Sequence, residues 1–508
     1  MPDWLIALPD AETMRAIDRW AIDQQGVPGL ELMERAGAAV TRAVEVHCAD
    51  GPVAVVCGKG NNGGDGLVAA RQLRESGREV TVVCVAPLEQ LSGDARENLR
   101  RLPGDAPVSL ADGLPAIAGA AAAVDALLGT GFAGEPHGPT AMAIEALNAS
   151  PAPVVAVDVP SGVDASTGVV VASAVRAAIT VTFHAAKPGL WIRPGKAYAG
   201  DVHTVDIGIP RGAPSTTAIG LIATSVRECL PRRGAESTKF ASGQVLVAGG
   251  SRGLSGAPRM ASRASMRAGA GYVTACVPRS LQDVIAGAGT PELMTRGLAE
   301  EDGALAAVAV EDVRESIRPG GALALGPGLG RTPGAIAFAR ELARRADAPM
   351  VLDADGLNAH AGRLGELANR SEATVLTPHA GELGRLLELD SRQIERERLR
   401  HARTAAEQAH AVVVLKGDDT LVANAEGHVA VSQGGSPALA TAGTGDVLTG
   451  VIAALLAQGL DAFIAACAGV WLHAEAGREA ARRQGAVEGV IAGDVIESLP
   501  AARRGGDT

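Results

Sequence analysis

Aromatic side chains are scarce: five Phe, four Trp and two Tyr serve a chain of 508 residues. Ala, Val and Leu must therefore fill the interior, with Gly letting helices approach sheets closely. The scarcity argues against an aromatic platform for stacking single-stranded nucleic acid. Positive charge is not in excess either. A formal net charge of −11 argues against a nonspecific binder of phosphate backbones, although a few backbone N–H groups can still hold a nucleotide. No nucleic-acid partner is expected. Cys48, Cys57, Cys84, Cys229, Cys276 and Cys467 form no Cys-x-x-Cys pair and no metal-ligand spacing, so they read as thiols of a reducing compartment. The N-terminal "MPDWLIALPDAE" has no basic region followed by an apolar run, and no signal peptide is read there. The most apolar stretch, "GVIAALLAQGLDAFIAACAGVWLHAEAG", is interrupted by Gln458, Asp461 and His473. It reads as two buried helices, not a membrane span. A cytoplasmic protein without membrane contact is expected.

What is present is alternation. Both halves interleave short β-rich runs with amphipathic segments of helix length, the pattern of parallel α/β sheets. First-half strands are expected at "PVAVVCG", "REVTVVCVA", "AAAAVDALLG", "APVVAVDVP", "AAITVTF" and "DVHTVDIG". Their polar or Gly-rich ends at 61–65, 125–131 and 158–162 should share one cleft, because ligands of open α/β sheets sit beyond the carboxyl ends of strands. A Pro/Ser/Thr/Gly-rich break near 210–236 precedes a restart at "GQVLVAGGS". Later strands are expected at "GYVTACVP", "GALALGPG", "APMVLDAD", "ATVLTP", "AVVVLKG" and "DTLVANAEGHVAVSQG", and the terminal "ARRGGDT" is expected to fray. The organisation is two α/β domains, 1–215 and 236–502, joined by a linker over 216–235.

Two glycine-rich turns carry the chemistry. "CGKGNNGGDG" (57–66) lies between "PVAVV" and the helix-like "LVAARQLRESG", a strand-to-helix turn open to close approach. The phosphate loop Gly-x-x-x-x-Gly-Lys-Ser/Thr is absent. Gly58-Lys59-Gly60 begins a dinucleotide fingerprint without completing it, which makes a redox dehydrogenase the weakest reading. In the second half, Gly443-Thr444-Gly445-Asp446 lies just before a strongly apolar helix. The unpaired N–H groups of a helix N-terminus form an anion site. Asp446 there either accepts a proton from a hydroxyl attacking phosphorus or merely caps the helix.

The second half resembles the ADP/ATP-dependent NAD(P)H-hydrate dehydratases of the ribokinase-like superfamily. "VLVAGGSRGLSGAPRMASRASMRAGAGYVT", "LGPGLGRT", "VLDADGLNAHAG", "VLTPHAGELGRLL", "VVVLKGDDTLVAN" and the GTGD turn occur in order over about 236–500. The resemblance implies that Lys416, Gly417, Asp418, Asp419 and Thr420 hold an adenine nucleotide. It adds Ser436, Pro437, Ala438, Leu439, Ala440, Thr441, Ala442, Gly443, Thr444 and Gly445 to that site. Ala257, Gly328 and His379 would line a hydrated nicotinamide, with Glu382 a companion carboxylate and Asp446 touching the hydroxyl. Asp353 and Asp355 would point to opposite faces of a regular strand, with a structural role, one behind a bound Mg²⁺, or direct catalysis open to them. "STKFASG" keeps Lys239 and Gly243 of the lead-in motif but lacks its His. By likeness to fused bacterial enzymes the phosphoryl donor is ADP, used with Mg²⁺.

The first half resembles NAD(P)H-hydrate epimerases over about 9–210, through "MRAIDRWAIDQQGVPGLELMERAG", "VVCGKGNNGGDGLVAARQL", "VDALLGTGFAGE", "VDVPSGVDASTG" and "TVTFHAAKPG". The resemblance implies substrate contacts from Asn61, Asn62, Gly63, Gly64 and Asp65. It implies the same for Gly129, Thr130, Gly131, Phe132, Ala133, Gly134 and Glu135, and for Asp158. Asn62, Asp125 and Ser161 match the family's K⁺ ligands; one carboxylate with neutral oxygens suits a weakly hydrated monovalent ion better than Zn²⁺. The other reading of Asn62 and Asp125 is loop bracing. Asp158 is the acid–base candidate, and Lys187 is either a second one or a plain surface lysine. The expected fold is a Rossmann-like parallel-sheet sandwich followed by a ribokinase-like α/β domain. The implied activity is repair of NADHX and NADPHX: epimerisation, then ADP-driven dehydration of the S form, releasing AMP and phosphate. A vitamin- or sugar-type kinase with a non-catalytic first domain is the alternative. A homo-oligomer is expected by analogy.

Overall fold

The computed structural model describes residues 2–214 and 216–504; of the expected frayed end, 505–508 lie outside them. The chain forms two compact units, one of residues 7–220 and one of residues 1–6 with 221–508.

The first unit is built on a seven-stranded sheet in the order Val108–Ser109, Val80–Cys84, Val53–Cys57, Ala122–Ala126, Val154–Val157, Ile179–Phe183, Asp201–Val205. All neighbours are parallel. Val53, Val55 and Cys57 pack into one core and Ala54 and Val56 into another, so helices cover both faces, as a parallel sheet requires. Connections run outward in both directions from Val53–Cys57 and Ala122–Ala126. That reversal leaves a crevice at the carboxyl ends of these two strands.

The glycine-rich turn is shorter than its composition suggests. The helix starts at Asn61 and runs to Glu75, with Gly60 as its N-cap. A β carbon on Gly63 would lie 2.0 Å from the Gly58 carbonyl oxygen, so this glycine serves packing, whereas Gly60 faces open space. Gly63→Ala is expected to destabilise the first unit by about 2 kcal/mol, in the range of overpacked cores, read as a lower urea midpoint.

The second unit carries an eleven-stranded sheet. Its order is Leu5–Ala7, Ile219–Ile222, Val429–Val431, Leu421–Ala423, Val412–Leu415, Thr374–Leu376, Met350–Leu352, Ala322–Leu325, Gln244–Ala248, Tyr272–Pro278, Met294–Leu298. Pairing is parallel from Val412–Leu415 through Met294–Leu298 and antiparallel among the three strands between 412 and 431. Residues 216–235, read as a linker, therefore contain a strand of this sheet, whose four residues are all buried. The first strand of the chain lies beside it. The two helices expected in the apolar stretch are Thr444–Ala457 and Ala462–Gln484. Residues 447–457 are buried throughout, and a β carbon on Gly450 would lie 2.1 Å from Ala261 O, so this helix packs directly on Gly256–Arg267. Among the described residues no helix is long and apolar enough to cross a membrane.

Candidate active sites

In the first unit a cavity of about 760 Å³ opens at the crevice between Val53–Cys57 and Ala122–Ala126. Asn61, Asn62 and Asp65 line it from the first turns of their helix, and Gly129, Thr130, Gly131 and Phe132 from the segment after Ala122–Ala126. Asp158 enters from the end of Val154–Val157. Other expected contacts lie elsewhere. Gly63 and Gly64 are buried against Gly58 and Met33, and Ala133, Gly134 and Glu135 are exposed outside the cavity wall.

Asp158 adopts a left-handed backbone, φ 66°, uncommon for a non-glycine and a mark of functional sites. Lys187 is not on the surface. It is 1% exposed, and its ammonium donates to Asp158 Oδ1 at 2.5 Å, Thr182 Oγ1 at 2.8 Å and the Phe183 carbonyl at 3.1 Å. Thr130 donates to Asp158 Oδ2 through its hydroxyl and its N–H. Burial alone would raise the Asp158 carboxyl; the Lys187 charge and these hydrogen bonds outweigh it and hold it below its ordinary value. Three further acidic residues line the cavity, Asp18, Asp65 and Asp94. Burial pushes Asp18 up to about 6, helped by Asp158 and opposed by Lys187. Burial, with Asp158 and Asp18 nearby, pushes Asp65 well above the carboxylate range. Sequence reading missed Asp18. Its signal is an aspartate on the apolar stripe of helix Ala11–Arg19, where Met14 and Ile17 are buried.

The three candidate K⁺ ligands converge on the segment 127–129. Ser161 donates from Oγ to Asp125 Oδ1 at 2.6 Å and from N to Oδ2 at 2.8 Å. Leu128 donates its N–H to Ser161 Oγ at 2.9 Å, while Asn62 Nδ2 donates to Leu128 O at 2.9 Å. Asp125 is fully buried, and burial pushes its carboxyl up to about 6 despite these hydrogen bonds.

In the second unit the GTGD turn behaves as its spacing predicts. Gly443 is the N-cap, in a left-handed conformation (φ 92°), of helix Thr444–Ala457. Thr444 Oγ1 donates to the Leu439 and Thr441 carbonyls, fixing the turn. Asp446 sits in the first turn and is not the cap. Burial raises its carboxyl to about 7, with Asp353 and Glu382 adding to the rise and Lys416 opposing it. Lys416 Nζ lies 3.0 Å from Asp353 Oδ1 and 3.6 Å from Glu382 Oε2. Burial would lower this ammonium, but the two carboxylates raise it, so it is firmly cationic.

Asp353 and Asp355 do not follow strand geometry, because the strand ends at Leu352 and a helix, Ala354–Asn358, begins. Asp353 accepts from Thr377, Thr449 and Lys416. Asp355 turns to Arg331 Nε and Gly330 N. His379 caps helix Ala380–Leu387, its Nδ1 accepting from the Gly381 and Glu382 N–H groups. Burial lowers its imidazole, which is therefore neutral at pH 7. Ala257 and Gly328 are neighbours: a β carbon on Gly328 would be 3.1 Å from that of Ala257.

The expected nucleotide loops are stiff. Thr420 Oγ1 bridges Gly417 N and O. Asp419 is fully buried and pairs with buried Arg398 at 3.0 Å, so it anchors the turn from inside while Asp418 is exposed. Ser436 caps the short helix Pro437–Leu439. Ala438 and Thr444 are buried; Pro437, Ala440 and Ala442 are exposed and Leu439, Thr441 and Gly445 partly so.

Comparison with known proteins matches both halves of the chain. A family model described as "NAD(P)H-hydrate dehydratase" matches residues 245–501, and one described as "YjeF-related protein N-terminus" matches 29–189. The bifunctional NAD(P)H-hydrate repair enzyme Nnr of Moorella thermoacetica is 42% identical, over 97% of this chain and 96% of that protein. The protein of the same name from Salinibacter ruber is 40% identical, over 98% and 96%. A Bacillus subtilis ADP/ATP-dependent NAD(P)H-hydrate dehydratase co-crystallised with ATP/Mg²⁺ is similar at 29% identity and a TM-score of 0.48, covering 58% of this chain and 99% of that one. The chain belongs to the family of bifunctional NAD(P)H-hydrate repair enzymes.

Proposed function

We propose that the two units perform successive steps of one repair. The first interconverts the R and S forms of hydrated NADH and NADPH. The second dehydrates the S form with ADP as phosphoryl donor, releasing AMP and phosphate. Hydration places a hydroxyl on the ring carbon beside the ring nitrogen. Hydroxide is a poor leaving group at neutral pH; once phosphorylated, it leaves as phosphate, expelled by the nitrogen lone pair, and loss of a proton from the adjacent ring carbon restores the dihydronicotinamide.

The observation that carries the second step is Asp446 in the first turn of a helix, close enough to Lys416 to feel its charge. Asp446 takes the hydroxyl proton as the oxygen attacks phosphorus, which calls for a carboxylate whose proton affinity is near the working pH. The N–H groups after Gly443 receive the developing negative charge, and Lys416 neutralises the transferred group. Residues 416–420 and 436–445 hold the donor, while Ala257, Gly328 and His379 line the hydrate. Mg²⁺ would travel with the donor and would supply charge neutralisation at its phosphates. It commonly keeps water and phosphate ligands, and among the described residues no group of three or more His, Cys, Asp or Glu is placed as a cage. With Asp446 needed as carboxylate and its proton lost near pH 7, dehydration should fall on acidification through 7. At pH 6 roughly a tenth of the plateau rate should remain, measured as initial rate at saturating ADP.

In the first unit Asp158, kept ionised by Lys187, moves a proton on the oxygen at the hydroxyl-bearing carbon. Asn62, Asp125 and Ser161 with the Leu128 carbonyl form an oxygen-only set that fits K⁺, and a cation there would settle the buried Asp125 charge and offset the substrate's pyrophosphate. All six cysteines are free thiols, and we place the enzyme in the cytoplasm.

The test follows 340 nm absorbance as the protein acts on mixed NADHX epimers with ADP, Mg²⁺ and K⁺. Rapid recovery to completion is expected. Recovery that stalls part-way would leave the first unit without epimerase activity. No recovery with ADP or ATP would sink the proposal and favour a kinase that releases a stable phosphorylated product.

A further inference from the structure

We propose that Asp18 is a second acid–base residue of the first-unit cavity, serving the substrate ring from a different wall than Asp158. The inference rests on the reading of that cavity as the epimerase site. Asp18 comes from helix Ala11–Arg19, whereas Asp158 and Lys187 follow the strands Val154–Val157 and Ile179–Phe183. All three line the cavity together with Asp65.

Helix Ala11–Arg19 gives no structural reason for a carboxylate at this position. Its N-terminus is already capped by Asp10, which accepts from Thr13 N at 2.8 Å. Met14, Ile17 and, one turn on, Ala21 are buried, so Asp18 occupies the apolar stripe. Among the described residues no hydrogen bond or ion pair holds its side chain, although it feels the charges of Lys187 and Asp158. A partly buried carboxyl without a partner destabilises the fold. Such a cost is retained where the group acts on a ligand.

Inversion at the hydroxyl-bearing carbon supplies that ligand chemistry. A carboxylic acid protonates the hydroxyl; the carbon–oxygen bond breaks as the nitrogen lone pair forms a carbon–nitrogen double bond, and water departs. Water then adds to the other face of the planar cation and gives its proton to a carboxylate there. One proton is given and one taken, one water leaves and one enters, and no oxidant is needed. A single carboxyl reaches one face; inversion needs one on each. The surrounding carboxylates also favour the transient cation. The charged groups that line the cavity with Asp18 are Arg15 on its own helix, Lys59 before and Asp65 within the helix Asn61–Glu75, Asp94, Asp158 and Lys187.

The test measures conversion of the purified R hydrate to the S form by chromatography, without ADP so that dehydration is silent. Wild type is compared with Asp18→Asn and Asp18→Glu. For Asp18→Asn we expect kcat about 100-fold lower, KM within about threefold of wild type, and a melting temperature at pH 8 no lower than wild type, because an unpaired charge has been removed. Asp18→Glu should recover part of kcat. A wild type that leaves the R form unchanged overturns the cavity assignment and this role together. An active wild type with Asp18→Asn less than about tenfold slower overturns the role of Asp18 alone, as does a higher KM with kcat retained. Lost activity accompanied by a lowered melting temperature would make Asp18 structural and likewise overturn it.

Discussion

The Asp446→Asn protein is expected to lose ADP-driven dehydration by about 1000-fold, within the range for removal of a general base, while still interconverting the two hydrate forms. Asparagine keeps the shape of the side chain and leaves the helix N-terminus and Lys416 in place, so nucleotide binding should persist. The stability readout separates this from a capping role. Asp446 binds its proton more tightly in the folded chain, near pH 7, than in the unfolded chain, near pH 4. The ionised carboxylate therefore disfavours the fold. This penalty is full above pH 7 and disappears as pH falls toward the unfolded value. Removing it should hold or raise the melting temperature at pH 8 and change little at pH 4. An activity loss with a lower melting temperature at pH 8 would instead point to a structural carboxylate. Gly443 already occupies the N-cap position, which leaves capping without a place for Asp446.

What the sequence showed and what it hid divide along a physical line. The turn that carries Asp446 was legible because its signal is local: glycines, a helix start and an acid within four residues. Asp158 and the strand ends were legible because parallel strands read as apolar runs with polar exits. Lys187 was legible only as an open choice between an acid–base group and a surface lysine, since its burial depends on Asp158, 29 residues away. The strands Leu5–Ala7 and Ile219–Ile222 were missed because three or four residues carry no periodicity, and the second lies inside a Pro- and Ser-rich break. The glycine-rich segment 58–66 looked like one open cradle; most of it is helix, and Gly63 and Gly64 are small because Gly58 and Met33 press against them. Asp353 and Asp355 were placed on an extended strand, but the chain turns into a helix after Leu352, so their partners were unreadable from alternation. Which expected contact lines a cavity is a property of tertiary packing: Gly129, Thr130, Gly131 and Phe132 line it, while Ala133, Gly134 and Glu135 are exposed outside its lining.

Lys187→Met is expected to be the most damaging single change in the first unit, lowering its stability by about 3–5 kcal/mol, the cost of leaving one charge of a buried pair unpaired. In the wild type, Asp158 holds its proton less tightly than in the unfolded chain. The pair therefore contributes stability that is present above about pH 4 and lost as pH falls through the lower folded value. Without the ammonium, burial pushes Asp158 the other way. The folded carboxyl then binds its proton more tightly than the unfolded one, and the sign reverses: between pH 7 and 5 the variant should become more stable on acidification. Urea unfolding at the two pH values reads this directly, and a variant whose stability falls on acidification would show that Lys187 does not hold the Asp158 charge. Adding Asp158→Asn should restore much of the lost stability, because a neutral amide needs no counter-charge. It should not restore epimerisation, since the proton-exchanging group is then gone. Stability recovered without activity would separate the two roles of this pair: Lys187 sustains a buried carboxylate in a fold that would otherwise neutralise it, and Asp158 uses that charge.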